Sequence, residues 1–306
     1  MKRKSYRNFT PGVPHHVFTK AIEGNIIFYT VRDVLYYFTI YCCYARKYGI
    51  DVNMLCIMPN HTHSNESCSS HRRFELFHCE VESVFAKGYN LQHRRKGPLF
   101  LSPFGYSPKM VGKRQRDNLC YIANNPVAGN LCKTSIQYRW NFLAYADCSN
   151  PYSDKTPLSR ETSRMRSAIS MIKYYRKRNL PLDYARLEAI FQNLNPDETQ
   201  RAIDYIITSY NCINYESMLN CFGGSMSSAL NAFNIVSGSE HDMQDDFDDY
   251  SIYNRMSVLV KREGMDLKSC NFETMDYKTL NKLMRLLSST GVGDKQIRKF
   301  LHLKPW

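Results

Sequence analysis

Residues 52–63 read VNMLCIMPNHTH. The run 52–58 is largely apolar and predicts a buried strand that ends at Pro59. In a strand, residues i and i+2 point to the same face, so an extended His61-Thr62-His63 presents two imidazoles side by side. Two imidazoles at that spacing can bind one divalent metal ion, although a pair of ordinary surface or core histidines has the same spacing. The stretch therefore predicts a buried strand followed by a candidate metal site.

Strand and helix patterns alternate on both sides of this stretch. The patterns predict strands at residues 15–20 and 138–145, and helices at residues 31–48, 72–87 and 110–124. Gly49 follows the first helix at the position where a left-handed residue commonly ends a helix. Pro126 is predicted to stop the third helix, because proline cannot donate the next backbone hydrogen bond. The alternation favours a compact α/β or α+β domain in the first half of the chain.

Helical patterns dominate the second half. Residues 150–160 combine two prolines with small polar residues and are predicted to be a linker. This linker would separate a domain at residues 1–149 from a mainly helical accessory domain at residues 161–306. Within the latter, Asn195-Pro196 has good cap chemistry and predicts a helix that runs to Tyr210.

Residues 277–302 predict two short helices joined by a turn that contains glycine. The apolar residues of each helix fall on one side, and the second helix carries cations on its other side: Lys295, Arg298 and Lys299. A basic second helix after a short turn is the outline of a helix-turn-helix. Many helical hairpins have this outline and bind nothing, so a packed accessory hairpin is the alternative.

Composition restricts the class of protein. With 43% hydrophobic residues, a chain of 306 residues can build a packed core. There is no run of about 18 apolar residues, and the basic start MKRKSYRNF leads into no apolar segment. We therefore expect no membrane span or membrane partner, and no secretory signal. The 11 cysteines include no C-x-x-C pair and are expected to be reduced thiols in a cytoplasmic protein.

The formal net charge of +13 is concentrated in the first half of the chain. Residues 1–150 carry 20 Lys/Arg against 9 Asp/Glu, whereas the remaining residues carry 21 against 19. A polyanion is a natural partner for such a surface, and the phosphate backbone of a nucleic acid is the commonest one. A solvated basic face without a ligand would have the same composition.

Tyr121 and Asn125 form a second candidate group, in the segment YIANNP at 121–126. Positions i and i+4 share a helix face, so both side chains can face the same point. A tyrosine near a metal can attack a phosphodiester to form a phosphotyrosine, while the metal polarises the phosphate. Asn125 could add an oxygen ligand to that metal. The alternative is a packing role, because the chain has 22 tyrosines and most buried ones are structural.

A basic stretch begins at His93 and is interleaved with aromatic residues. Cations that follow a backbone and aromatics that stack on bases are the usual means of holding single-stranded nucleic acid. The candidate DNA-binding cations are Arg94, Arg95, Lys96, Lys113, Arg114 and Arg116. A solvated charged loop is the alternative interpretation.

Taken together, these motifs resemble one known family. M-P-N-H-T-H (58–63), R-R-K-G-P-L-F (94–100) and Y-I-A-N-N-P-V (121–127) occur in the order typical of REP-associated and related single-tyrosine HUH transposases, the IS200-like group. The opening G-V-P-H-H-V (12–17) and the Ile27-Phe28 pair are also similar to that family. The resemblance covers residues 5–145.

The resemblance implies a fold, a chemistry and a partner. The fold would be α+β, a ferredoxin-like antiparallel sheet with helices, followed by a mainly helical C-terminal domain. His61 and His63 would be metal ligands with Asn125 as the third, and Tyr121 would be the nucleophile. The substrate would be single-stranded or hairpin DNA, cleaved and rejoined through a 5′-phosphotyrosine, with magnesium or manganese as the metal. A homodimer is compatible with the sequence.

Two positions depart from the family pattern. The residue between the histidines is usually apolar, and here it is Thr62. The strand after the second histidine is usually apolar too, whereas Ser64–Ser70 is polar and forms strands weakly, which predicts a short strand. An inactive copy of such an enzyme is therefore also consistent with the sequence.

Three functions are open on the sequence alone. The first is a tyrosine-dependent DNA strand transferase. The second is a metal-dependent phosphodiesterase without a covalent intermediate, in which Tyr121 is structural. The third is a catalytically inactive relative that binds DNA.

Overall fold

The computed structural model describes residues 8–101, 104–235, 249–267 and 272–303, so the basic residues 1–7 lie outside it. In the first half, these ranges contain β1 (His15–Lys20), α1 (Val31–Tyr48), β2 (Asp51–Met58), β3 (His61–Ser67), α2 (His71–Gln92), β4 (Gly105–Pro108) and α3 (Lys113–Ala128). In the second half they contain α4 (Ser163–Lys177), α5 (Tyr184–Phe191), α6 (Pro196–Tyr210), α7 (Tyr215–Asn220), α8 (Met226–Ile235), α9 (Ser251–Arg262), α10 (Tyr277–Ser288) and α11 (Asp294–Leu301). The protein is therefore α+β with a mainly helical second half, as predicted.

The strands form one antiparallel sheet in the order β2-β3-β1-β4. Strand β3 pairs with β1 on one side and with β2 on the other, while β1 also pairs with β4. A β-α-β-β-α-β chain with this strand order has the ferredoxin-like arrangement. Because β3 is a central strand, hydrogen bonds on both sides fix the direction in which each of its side chains points.

Helices cover both faces of this sheet. Alternation along β3 sends Thr62 and Glu66 toward α1 and α2, where they meet Tyr37 and Tyr41. The intervening His63 and Asn65 point toward α3. We call these two sides the α1/α2 face and the α3 face. The candidate catalytic histidines therefore lie on the α3 face.

Helix α1 shows why the sequence folds as predicted here. Thr30 caps its start, and Thr30 and Asp33 satisfy each other's backbone N–H groups in a capping box. Gly49 ends the helix with a φ of 63°, a left-handed conformation that glycine adopts without steric cost. Between these ends the helix buries a continuous aromatic and aliphatic surface against the sheet. The predicted helix at 31–48 and the strands at 15–20 and 52–58 are confirmed.

Strand β3 is longer than the sequence predicts. Its polar half pairs with both neighbours: Asn65 and Glu66 pair with β1, and residues 64–67 pair with β2 across a register shift between Val52 and Met54. Weak strand propensity is overridden because a central position satisfies the backbone on both sides. The buried polar side chains find partners in the helices, so the expectation of a short strand is wrong.

Two further expectations are wrong. Residues 138–145 form short 3-10 turns instead of a strand, because Phe142 adopts a φ of 61° and stacks on Phe38 with ring centroids 4.4 Å apart. Pro126 does not stop α3, which continues to Ala128. Pro126 is close to the C-terminal end of the helix and buried, so it removes a single helical hydrogen bond without breaking the element.

The helices of the second half pack against the first. The block α4–α6 contacts α1: the Leu182 N–H donates to Thr39 Oγ1 at 3.0 Å, and Tyr184 donates to Asp33 Oδ1 at 2.7 Å. Helices α8, α9 and α11 contribute to the hydrophobic core that also contains the inner side of α3. The predicted helix from Pro196 to Tyr210 is confirmed, with its Asn195 cap. The division into domains at residues 150–160 stays a prediction.

The predicted hairpin at the C-terminal end consists of α10 and α11 joined by a short turn. The apolar residues Ile297, Phe300 and Leu301 of α11 are buried, as expected. The end of α11 is held against the loop before α1, because the Ile26 N–H donates to the Lys299 carbonyl at 3.1 Å. DNA contact by this hairpin stays a prediction. Within the described ranges, no helix is long and apolar enough to span a membrane.

Candidate active site

Four aromatic side chains meet on the α3 face of the sheet. The His61 and His63 rings are nearly perpendicular, with centroids 4.7 Å apart. His16 of β1 lies 5.1 Å from the His63 ring, and Tyr121 of α3 lies 5.5 Å from both His63 and His16. Alternation along β3 sets His61 and His63 on one face, as the sequence predicted, and the packing of α3 against that face brings Tyr121 to the same place.

His63 is held from behind by a second imidazole. Its Nδ1 is 3.0 Å from His16 Nε2, so one of the two rings donates to the other. Its Nε2 is buried and makes no hydrogen bond of ordinary geometry, although the nearby Asn125 amide acts to raise the pKa of the ring. Burial, followed by repulsion from His61, His16 and Lys20, lowers the pKa of His63 well below its usual value. The ring is therefore neutral at pH 7, the form in which an imidazole binds metal.

Asn60 has the equivalent role for His61. The Asn60 Oδ1 atom is 2.6 Å from His61 Nδ1, and its Nδ2 donates to the Gly24 carbonyl at 2.9 Å. The second bond fixes the Asn60 amide so that its oxygen faces the imidazole. Nδ1–H of His61 can then donate to Asn60, which leaves the Nε2 lone pair for a ligand. This contact gives the asparagine of the M-P-N-H motif a physical role.

Tyr121 and Asn125 lie one helical turn apart on the side of α3 that faces the sheet. Asn125 Nδ2 donates to the Tyr121 carbonyl at 3.1 Å, which leaves the amide oxygen to face away from that bond. Tyr121 is 2% exposed and Asn125 is 3% exposed. The predicted i, i+4 relation is present, and it places an amide oxygen that could bind a metal beside the histidine pair.

The ring nitrogens of His61 and His63 and the amide oxygen of Asn125 fit a divalent metal ion of intermediate hardness. Two neutral imidazoles and one amide oxygen would leave further positions for oxygen atoms of a substrate. The buried Nε2 of His63 supports such a site, since an unsatisfied buried polar atom is costly unless a ligand occupies it. Across the described part of the chain, no group of three or more His, Cys, Asp or Glu side chains could hold a metal ion. Any metal here would therefore depend on Asn125 or on the substrate.

The site is enclosed by the second half of the chain. The Tyr250 hydroxyl, at the start of α9, is 3.4 Å from His61 Nδ1, and the Tyr250 N–H donates to the Gly129 carbonyl at 2.9 Å. His61, the most exposed member of the group, is 6% exposed. Tyr250 and α3 thus cover the imidazoles in this conformation.

The predicted DNA-binding cations fall into two sets at opposite ends of the sheet. Residues 94–96 form the turn after α2 at the His61 end, since the next segment bonds to residues 20–22 of the chain. Arg94 and Lys96 are exposed there, whereas Arg95 is half-buried and donates to Asn90 Oδ1 and the Pro98 carbonyl. The stretch is therefore partly structural and does not continue directly into residues 113–116.

The second set begins α3 at the opposite end of the sheet. Lys113 and Arg116 line a groove of about 1170 Å³, together with Asn53, Ser67 and Asn214. Gly112 precedes the helix and provides no side-chain cap, while Lys113, Arg114 and Arg116 are all exposed in its first turns. Cations beside a helix N-terminus repel its partial positive charge. The same groove is also lined by the carboxylates of Asp51, Asp117 and Glu216.

Comparison with known proteins gives one structural match. A solved structure described as the REP-associates tyrosine transposase bound to a REP hairpin has a TM-score of 0.42. The two sequences are 15% identical, and the match covers 53% of this chain and 96% of the matched chain. No protein-family model matches the chain, and no curated protein does.

Three site residues were not assigned a role from the sequence. His16 belongs to a motif that was noticed, and strand alternation along β1 would have placed it on the same face as Phe18. Asn60 was part of the M-P-N-H motif but had no geometric signal of its own. Tyr250 is separated from the site by more than a hundred residues, so no local pattern could have identified it.

Proposed function

We propose that this protein is a metal-dependent tyrosine transposase or nuclease that cleaves and rejoins single-stranded or hairpin DNA through a 5′-phosphotyrosine intermediate. The observation that carries the proposal is the packing of Tyr121 edge-on against His63 and His16, beside a His63 Nε2 that is buried without a hydrogen bond. A tyrosine and a metal-binding pair side by side are the two groups that this reaction needs.

The chemistry follows from the positions of these groups. The Tyr121 oxygen would attack the phosphorus of a phosphodiester, and the bond from phosphorus to the 3′ oxygen would break. The Tyr121 hydroxyl loses its proton in this attack, and the departing 3′ oxygen takes one up to become a free 3′-hydroxyl, so there is no net change in protons. The 5′ side stays linked to Tyr121. In the reverse direction, another 3′-hydroxyl attacks the phosphotyrosine and Tyr121 leaves, so two strands are joined without an external energy source.

His61, His63 and Asn125 would hold the cation, manganese or magnesium. When bound, that cation supplies positive charge that offsets the charge developing on the phosphate oxygens. His16 and Asn60 would keep both imidazoles in the tautomer whose Nε2 lone pair is available. Both positioning groups are under a tenth exposed, so water does not compete for these contacts.

The charge distribution supports DNA as the substrate. Exposed cations occur at both ends of the sheet, at Arg94 and Lys96 and at the start of α3. A strand that passed from one set to the other would cross the α3 face, on which Tyr121 lies. The enclosure by Tyr250 implies that α9 or α3 moves aside before a phosphodiester can reach Tyr121.

A covalent adduct tests the proposal directly. Wild-type protein, a labelled single-stranded hairpin oligonucleotide and Mn²⁺ are expected to give a band that migrates with the protein in a denaturing gel. Tyr121→Phe is expected to abolish that band with little change in DNA affinity, since the variant loses one hydroxyl and no charge. Tyr36→Phe is the matched control, because it also removes a buried hydroxyl, which donates to the Val84 carbonyl away from the site.

Each other result has a defined meaning. Adduct formation by Tyr121→Phe would show that another residue is the nucleophile. Metal-dependent cleavage without any adduct would favour a phosphodiesterase that activates water. DNA binding with neither cleavage nor adduct would favour an inactive DNA-binding relative.

A further inference from the structure

Helix α4 carries a basic surface that the charge balance of the second half conceals. Its five exposed cations are Arg164, Arg166, Lys173, Lys177 and Arg178, the last of these at the helix C-cap. Exposed serines are interleaved with them at positions 163, 167 and 170. Residues 162–182 contain no Asp or Glu, although the second half as a whole is almost neutral. Helix α4 is thus a local concentration of positive charge within a nearly neutral half of the chain.

Four of these five cations form no ion pair with another described residue, although Arg166 donates to the Glu161 carbonyl at 2.6 Å. Among the described residues, the nearest carboxylate contact is between Arg164 and Glu198 at 4.0 Å, the limit of an ion pair. Lys173 and Lys177 have no ion pair within the described part of the chain. The helix is instead anchored by apolar residues on its other side, at Met165, Ile169 and Ile172. The exposed cations of the second half of the helix are therefore available to a partner.

The spacing of the cations suits a regular polyanion. Arg166, Lys173 and Lys177 recur at intervals of seven and four residues, so they form one stripe along the helix. At about 1.5 Å per residue the stripe is about 16 Å long. Each strand of duplex DNA carries a phosphate about every 3.4 Å along its axis, so the stripe can follow about five phosphates of one strand. Small serine side chains between the cations allow close approach and add hydroxyl donors.

The surface of α4 is separate from the candidate active site. Asn179, just after α4, donates to the Cys43 carbonyl at 2.9 Å and accepts from Arg46 Nε at 3.2 Å, which ties this end to the C-terminal end of α1. That end of α1 leads into the start of β2, whereas His61 pairs with the last residue of β2. Helix α4 is also on the α1 side of the sheet, opposite α3. A duplex on α4 would therefore not block Tyr121.

We propose that α4 is a second DNA interface, which binds the phosphate backbone of a double-stranded segment while the α3 face processes a single strand. This deepens the proposed function, since it assigns the paired part of a hairpin or the duplex flanking the cut strand to α4. The contact is with phosphates and is independent of base sequence. At the end of α4, the Arg178 guanidinium stacks on the half-exposed Tyr174 ring at 3.7 Å, which places an aromatic side chain beside the cations.

The test uses the full-length protein and a fluorescent 20-base-pair blunt duplex of arbitrary sequence, with chelator present so that no cleavage occurs. Binding is measured by anisotropy between 50 and 300 mM NaCl. In K173Q/K177Q/R178Q, affinity is expected to fall at least tenfold at 150 mM NaCl. The slope of log K against log salt is expected to become shallower by about 3, since each lost phosphate contact removes about 0.9 from it.

The matched control is K133Q/K261Q/R262Q, which removes the same charge from exposed positions outside α4. Its affinity and slope are expected to stay close to wild type. S170E is a second variant, which places one negative charge in the stripe without removing any contact, and it is expected to weaken the duplex severalfold. Unfolding curves of all variants identify any loss of fold.

An unchanged salt slope in the α4 triple variant would overturn the proposal, as would an equal loss in the control variant. Tighter binding of duplex RNA or of anionic lipid vesicles than of duplex DNA would also overturn it, because α4 would then have a different partner. Failure of the tyrosine chemistry would leave these results unaffected. Conversely, the triple variant is expected to retain adduct formation on a short single-stranded oligonucleotide.

Discussion

On the α1/α2 face of the sheet, Glu66 accepts hydrogen bonds from both His78 and Tyr41, and burial with the nearby carboxylate raises the pKa of Tyr41 well above its usual value. On the α3 face, three positions earlier along β3, His63 is hydrogen-bonded to His16 on one side, and its other ring nitrogen makes no hydrogen bond of ordinary geometry. Both faces bury imidazoles against aromatic rings. They differ in whether the polar network is closed within the protein.

The closed network around Glu66 and the open one around His63 show how a structural site and a candidate chemical site can share one strand. A closed buried network lowers the free energy of the native state but offers no atom to a ligand. An open network costs stability and persists where a ligand completes it. We therefore expect substitutions on the α1/α2 face to change stability, and substitutions on the α3 face to change ligand binding.

The largest effect is expected for His63→Ala. Removing a metal ligand on the α3 face should lower Mn²⁺ affinity at least about 100-fold and abolish metal-dependent cleavage, because water cannot restore the same geometry. Isothermal titration of Mn²⁺ into the metal-free protein measures the affinity. His71→Ala, which removes a largely exposed histidine, serves as the control. Unchanged Mn²⁺ affinity in His63→Ala would remove the distinction between the faces.

The reciprocal experiment is His78→Ala on the α1/α2 face. This change leaves the buried Glu66 carboxylate with Tyr41 as its remaining partner, and breaking a buried pair typically costs about 3 kcal/mol or more. Urea unfolding should show that loss, while Mn²⁺ affinity should stay near wild type. His78→Gln retains a donor and should recover part of the stability. A large fall in metal affinity in His78→Ala would show that the two faces are coupled.

A smaller effect is expected for His16, the positioning residue behind His63. His16→Leu removes the group that fixes the His63 tautomer and should weaken Mn²⁺ binding about 10- to 100-fold. His16→Gln keeps an acceptor near His63 Nδ1 and should recover most of the affinity. A merely structural role would give equal destabilisation in both variants without this difference in metal affinity.

The smallest effect concerns pH and His15 on the α1/α2 face. Burial lowers the pKa of His15 below 6.5, and its Nε2 accepts the Thr10 N–H at 3.1 Å. Below pH 6.5 the His15 side chain is protonated more readily in the unfolded chain than in the folded protein. The stabilisation from a neutral His15 is therefore fully present above pH 6.5 and is lost as the pH falls. The contribution is at most about 1.4 kcal/mol per pH unit. His15→Gln should reduce the slope of unfolding free energy between pH 6.5 and 5.5; an identical slope would exclude this role.

Much of the framework is determined by the sequence itself. Capping of α1 by Thr30 and Gly49 is local, so it could be predicted from residue types a few positions apart. The alternation that sets His61 and His63 side by side, and the turn that relates Tyr121 to Asn125, are also periodic properties of the backbone. Their roles in catalysis stay predictions, but their proximity follows from these periods and the fold.

Only the tertiary structure decided the remainder. Polar residues 64–67 form a strand because β1 and β2 pair with them from both sides, which local propensity does not encode. Phe142 turns inward because Phe38 offers a stacking surface from a distant helix. Tyr250 covers His61, and α4 presents its cations on one side, for the same reason: long-range packing selects which surface of each segment is buried. Local sequence sets the periods of the chain, and non-local pairing and burial decide which residues those periods bring together.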